Sequence, residues 1–133
     1  MARDALGAVL VELQAALATG AFSTAKVRGG ERQPADAPPL VLVTHAGQRR
    51  RRRIPVVDQR LNVRSYGTTP QAASELARLV SDALHDVGPR VRSGTGVYVS
   101  AEEVGAQAAT DPVTGWPYEL AVYIAVTATT AIT

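Results

Sequence analysis

Residues 69–89 carry the start, the apolar stripe and the stop of a helix in their own local sequence, and alternating runs lie on either side of them. Thr69 stands where an N-cap belongs, and Pro70 takes the first helical position, where its missing N–H costs nothing. Ala73, Leu76, Val80, Ala83, Leu84 and Val87 recur at helical spacing and form one apolar stripe. Gly88 and Pro89 then end the helix. A helix set between extended runs, without a repeating βαβαβ order, argues against a doubly wound nucleotide fold and points to an α+β domain.

The remaining elements fit around it. Leu6, Val9, Leu10, Leu13 and Leu17 form a stripe that predicts a first helix over residues 4–19. Asp4 is its candidate N-cap, and Gly20 stands where a helix commonly ends in a left-handed conformation. The opposite face, with Glu12, Gln14 and alanines, reflects either helix propensity or close approach by a neighbouring element or subunit. Residues 23–28 suit a short strand, and residues 29–39, rich in Gly, Pro and charge, suit an exposed loop. Residues 40–44 and 54–66 read as a β-hairpin whose tip is the polar, basic segment 45–53. In the second run Leu61, Val63 and Ser65 alternate with Arg60, Asn62 and Arg64.

Two more strands are predicted after the central helix, over residues 96–101 and 118–128. Val97 and Val99 oppose Tyr98. Tyr118, Leu120, Val122, Ile124 and Val126 oppose Glu119, Ala121, Tyr123, Ala125 and Thr127. Residues 102–117, rich in Gly, Ala, Asp and Pro, read as a long loop, and loops of that length are usually functional or disordered. The expected architecture is α+β: a mainly antiparallel sheet of four to five strands with two helices packed on one face, spanning residues 1–133 as one domain without repeat or linker.

Composition narrows the chemistry. The 133-residue chain has no cysteine, which excludes disulfides, thiolate catalysis and cysteine-ligated zinc. Only Phe22, Tyr66, Tyr98, Trp116, Tyr118 and Tyr123 are aromatic, so the core must come from Val, Leu, Ile and Ala. Glu12 and Gln14 interrupt the N-terminal apolar stripe, unlike a signal peptide. No run approaches the roughly 20 apolar residues that span a bilayer, so no membrane partner is expected. His45 and His85 lack metal-ligand spacing. Glu102 and Glu103, like Asp82 and Asp86, read as solvated carboxylates rather than an acid–base pair. No GxSxG elbow is present. Gly94-Thr95-Gly96 lacks the lysine and following helix of a phosphate-binding loop and reads as a turn. No catalytic, metal or cofactor-binding residue is assigned, no cofactor is expected, and the chain reads as a non-enzyme.

Arg49, Arg50, Arg51, Arg52 and Arg53 are the strongest local feature. Three readings fit them: a solvated hairpin tip, a contact with an acidic surface of a partner or adjacent subunit, and attraction to nucleic-acid phosphates. No aromatic residue is interleaved for base stacking, and the net charge is only +2. Of the 14 basic residues Lys26 is the one lysine, a bias that fits either a GC-rich coding genome or bidentate guanidinium contacts. Trp116, in Asp111-Pro112-Val113-Thr114-Gly115-Trp116-Pro117, is either an edge-of-core anchor for its loop or an interface anchor.

The layout resembles the tail terminator, or tail completion, proteins of long-tailed bacteriophages. The resemblance rests on the N-terminal striped helix, on Arg64-Ser65-Tyr66-Gly67 running into the helix that begins Pro70-Gln71-Ala72-Ala73, on the Gly96-Val97-Tyr98-Val99 strand, and on the Asp111-to-Pro117 segment before a long final strand. It implies a virion protein, assembled in the host cytoplasm and placed at the head-proximal end of the tail. Such proteins form a hexameric ring on the major tail tube protein, stop tube polymerisation and present a surface to the head-completion or connector proteins, with DNA passing through the lumen. A head–tail connector or other minor tail protein, or a small nucleic-acid-binding module using the arginine run, are the alternatives. The arginine run exceeds the family pattern, so its role is not carried over.

Overall fold

The computed structural model describes residues 10, 13–18, 20, 22–31, 33–50, 56–87, 90–92 and 97–128. Asp4, Leu6, Val9, Arg51, Arg52, Arg53, Gly88, Pro89 and the Gly94-Thr95-Gly96 turn lie outside the described residues. The first helix, α1, is described at residues 10 and 13–17. There follow β1 (Lys26–Gly29), β2 (Leu40–Arg50), β3 (Val56–Tyr66), α2 (Pro70–Val87), β4 (Arg90–Arg92), β5 (Val97–Thr110) and β6 (Pro117–Ala128). The strand order is β1-β2-β3-β6-β5-β4. Five strands share one ladder, and the short β4 adds to the outer edge of β5. Every neighbour pair is antiparallel except β1 with β2. The domain is therefore α+β, with a mixed and mainly antiparallel sheet.

Both helices pack on the same face. Leu13 and Leu17 from α1 join Leu76, Val80 and Leu84 from α2 over Val27, Val41, Val43, Leu61, Val63, Ala121 and Tyr123. Each of these leucines and valines contributes roughly 1.5–3 kcal/mol by leaving water. Local chemistry sets the helix ends. The Ala72 N–H donates to Thr69 Oγ1 at 3.1 Å, which makes Thr69 the N-cap of α2. Gly20 has φ of 97°, the left-handed conformation expected where α1 ends. Gly67 lies against the first turn of α2: a Cβ there would stand 2.3 Å from the Ala73 backbone nitrogen, so only glycine fits.

The strands differ from expectation in three places, the first being β4, a short strand that the local sequence does not predict and that forms against Val97, Tyr98 and Val99 of β5. Residues 102–110, read above as part of a long loop, are strand: Glu102 pairs with Ile124, and the ladder continues to Thr110 with Pro117. Alanine, glycine and glutamine favour strands weakly, yet β6 supplies a backbone partner along the whole stretch, and pairing overrides propensity. The loop shrinks to residues 111–116. The hairpin of β2 and β3 is as expected, but β2 runs on through His45 to Arg50, with a bulge between His45 and Gly47. The extra residue kinks the strand without ending it.

Candidate docking surface: the open sheet face and the arginine hairpin

The alternation of each strand sends every second residue to the side of the sheet away from the helices. On β6 the inward residues are Ala121 and Tyr123, both buried. The outward residues are Leu120, Val122 and Ile124, which are half-buried. The larger aliphatic side chains of the longest alternating run thus lie on the face that no described helix covers. Their cross-strand neighbours on β3 are Arg64, Asn62 and Arg60. On β5 the same rows hold Gln107, Gly105 and Glu102. An apolar ridge is therefore flanked by guanidiniums on one side and by small or polar residues on the other. Long arginine stems lie along such surfaces while their heads stay wet.

One end of this face is closed by aromatic residues and two loops. Tyr66 and Tyr118 are cross-strand partners with ring centroids 5.1 Å apart. Trp116 stands edge-on to Tyr66 at 6.0 Å and 82°. Together they pack on Leu40 and Leu42, which are 0% and 2% exposed. Trp116 thus joins this satellite cluster and fastens the loop, while staying only half-buried. The loop itself is held by its own polar groups. Asp111 Oδ1 accepts from the Val113 and Thr114 N–H groups at 2.8 and 3.2 Å, and the Gly115 N–H donates to Asp111 O at 2.8 Å. Gly115 takes φ of 77°, which suits glycine. This ordering leaves Val113 at the tip 80% exposed.

The second loop, residues 30–39, connects β1 to β2. Its Asp36 carboxylate is fully shielded from solvent and pairs with Lys26 Nζ at 3.1 Å and with Arg28. Lys26 and Arg28 alternate with the core residue Val27, so Asp36 pins the loop onto the open side of the sheet. The Gln33 N–H donates to Asp36 Oδ2 at 2.7 Å. This backbone hydrogen bond is the largest cause holding the Asp36 carboxyl below its ordinary pKa. Desolvation opposes it, and the Lys26 and Arg28 charges assist. Residues 29–39, read above as simply exposed, therefore contain a buried ionic clasp. Neither periodicity nor propensity marks it; the one available signal was an aspartate in a loop following two basic residues at alternate strand positions.

Between the two loops lies a cleft of about 370 Å³, where Arg64, Tyr66 and Tyr118 from the sheet meet Glu31, Asp111 and Val113. A guanidinium, phenols and carboxylates at an open cleft suit hydrogen bonding and stacking with a partner. Tyr66, Tyr118 and Arg64 were not singled out as site residues by sequence reasoning; the signal is that all three occupy outward positions on paired strands.

Arg49 and Arg50 are the last residues of β2, paired with Asp58 and Val57. They lie at the opposite end of the sheet from Trp116, so Arg49 and Arg50 are not brought together with the tryptophan. His45 is exposed beside the bulge, and His85 lies on α2. Among the described residues no group of three or more His, Cys, Asp or Glu side chains is placed to hold a metal ion. Among the same residues no helix is long and apolar enough to cross a membrane. Compared with known proteins, the chain matches no family model and no curated sequence.

Proposed function

We propose that this chain is a structural assembly protein of a phage virion, a tail terminator that forms a ring on the last turn of the tail tube. In this role it ends tube polymerisation and joins the tail to head-completion or connector proteins. The observation that carries the reading is the one-sided sheet. The helices cover Ala121 and Tyr123, while Leu120, Val122 and Ile124 are left facing outward beside Arg60 and Arg64. A surface of this kind is suited to protein neighbours, because apolar ridges rimmed by polar groups are where interfaces form. The resemblance in layout described above supplies the particular assembly, and the ordered Asp111-to-Pro117 loop with its exposed Val113 provides a second point of contact.

The arginine hairpin supports a passing contact with DNA in the ring lumen. Arg49 and Arg50 end a strand at the hairpin, and Arg51, Arg52 and Arg53 follow in sequence. A free-standing nucleic-acid-binding module is the second reading, and the same five residues favour it.

Mass measurement of the purified protein, alone and after incubation with tail tubes, tests the proposal. A hexamer in solution, or a monomer that hexamerises on tube ends and blocks their further growth, is the expected result. A protein that never binds tubes overturns it. Retention on DNA at low salt, lost when the five arginines become serine, is the outcome that moves the assignment to the second reading.

A further inference from the structure

We infer that the two edges of the sheet are the two halves of one interface between copies of this chain, with β5 of one copy pairing with β2 of the next. Both edges are long and incompletely covered among the described residues. β1 pairs only with Leu40, Val41, Leu42 and Val43 of β2, which leaves the outer side of residues 44–50 without a described strand partner. β4 pairs only with Val97, Tyr98 and Val99 of β5, which leaves residues 100–110 likewise open. Open strand edges are ready to pair, and soluble proteins usually block them with charged residues, proline or a bulge, so an edge carrying such features pairs only with one of matching bend and opposite charge. Residues 100–110 contain no lysine, arginine or proline.

Direction, bend and charge all match across these edges. β2, β3, β6 and β5 alternate in direction, so β5 runs opposite to β2. A rotation about an axis alongside the strands preserves those directions. It therefore brings β5 of one copy antiparallel to β2 of the next, with the helices of both on the same side. One row of the sheet runs from His45 through Leu61 and Tyr123 to Glu103, and the bulges of β2 and β5 both adjoin it. Bulges bend a strand, so the two edges bend at the same level. Glu102 and Glu103 lie on the β5 edge. Arg49, in the row of Asp58, Val126 and Ser100, lies two positions along from the Glu102 row, or about 7 Å, which a small stagger spans. One edge carries acid and the other base at nearly the same height, and this complementarity selects a second copy as the occupant. Because the two edges differ, the contact is head-to-tail and propagates until it closes. The inference rests on the ring-forming reading above for closure, not for the pairing itself.

Charge reversal tests it. One variant carries Glu102→Arg and Glu103→Arg, a second carries Arg49→Glu and Arg50→Glu, and a third carries all four changes. Sedimentation at high protein concentration and low salt is expected to show oligomers of the native protein, and their loss in either double variant. Oligomers should return when the two double variants are mixed and in the fourfold variant, since each acidic edge then meets a basic one again. Circular dichroism that matches the native protein shows that the loss is not unfolding. Native protein that is monomeric throughout, oligomers indifferent to either reversal, or a loss that neither mixing nor the fourfold variant repairs would each overturn the pairing. Tube capping is scored separately: oligomers that assemble by this rule yet ignore tail tubes leave the interface standing and remove the terminator reading.

Discussion

On one face of β6, Ala121 and Tyr123 are buried in the cluster that contains Leu76, Val80 and Leu84. On the other face of the same strand, Leu120, Val122 and Ile124 remain half-exposed beside two arginines. The bulkier aliphatic set is thus on the less covered side. Along β6 the side under the helices holds a small residue and one ring, while the larger aliphatic side chains lie on the side that no described helix covers. The comparison separates apolar residues buried under the helices from apolar residues left partly exposed, although their hydrophobicity alone would rank them together.

The largest effect should come from the covered face. Leu76→Ala removes a fully buried side chain at the centre of the cluster and should cost about 2–5 kcal/mol, read as a lower midpoint in chemical denaturation. A loss well under about 1 kcal/mol would mean that the helix-covered face is not the stabilising one.

An intermediate effect belongs to the clasp at the closed end of the open face. Asp36 has a folded pKa below its ordinary value, so its ionised form contributes stability in full above that ordinary value. The contribution is lost as pH falls through the lower folded pKa. Asp36→Asn should be less stable than the native protein at neutral pH, and the gap should close in acid. A gap that is constant from neutral to acid pH would show that the carboxylate charge contributes nothing.

The smallest stability effect, with the largest effect on assembly, is expected on the open face. Val122→Ser should cost about 1–2 kcal/mol of folding stability, less than Leu76→Ala, because the side chain keeps part of its surface in water. The same variant should lose attachment to tail tubes in a pull-down. Unchanged attachment, or a stability loss as large as that of Leu76→Ala, would erase the distinction between the two faces.

The central helix was legible because its cap and stripe are local: Thr69 and the stripe from Ala73 to Leu84 each act within a turn or two. The hairpin of β2 and β3 and the two faces of β6 were legible for a similar reason, since alternation is a property of a single strand. The second half of β5 was not, because Ala106, Gln107 and Ala108 become a strand only by pairing with Ala121, Leu120 and Glu119. The Asp36 clasp and the aromatic corner of Tyr66, Trp116 and Tyr118 were hidden as well, since each joins segments far apart in the chain.

The amino-acid sequence by itself determined where the helices lie, which residues of each strand share a face, and that cysteine chemistry is absent. Periodicity and capping are short-range, so no partner is needed to read them. Only the tertiary structure decided which face the helices cover, how far β2 and β5 extend, and which strands stand at the edges. Those outcomes depend on long-range packing and backbone pairing, which a local pattern permits in more than one arrangement and which only the assembled sheet selects.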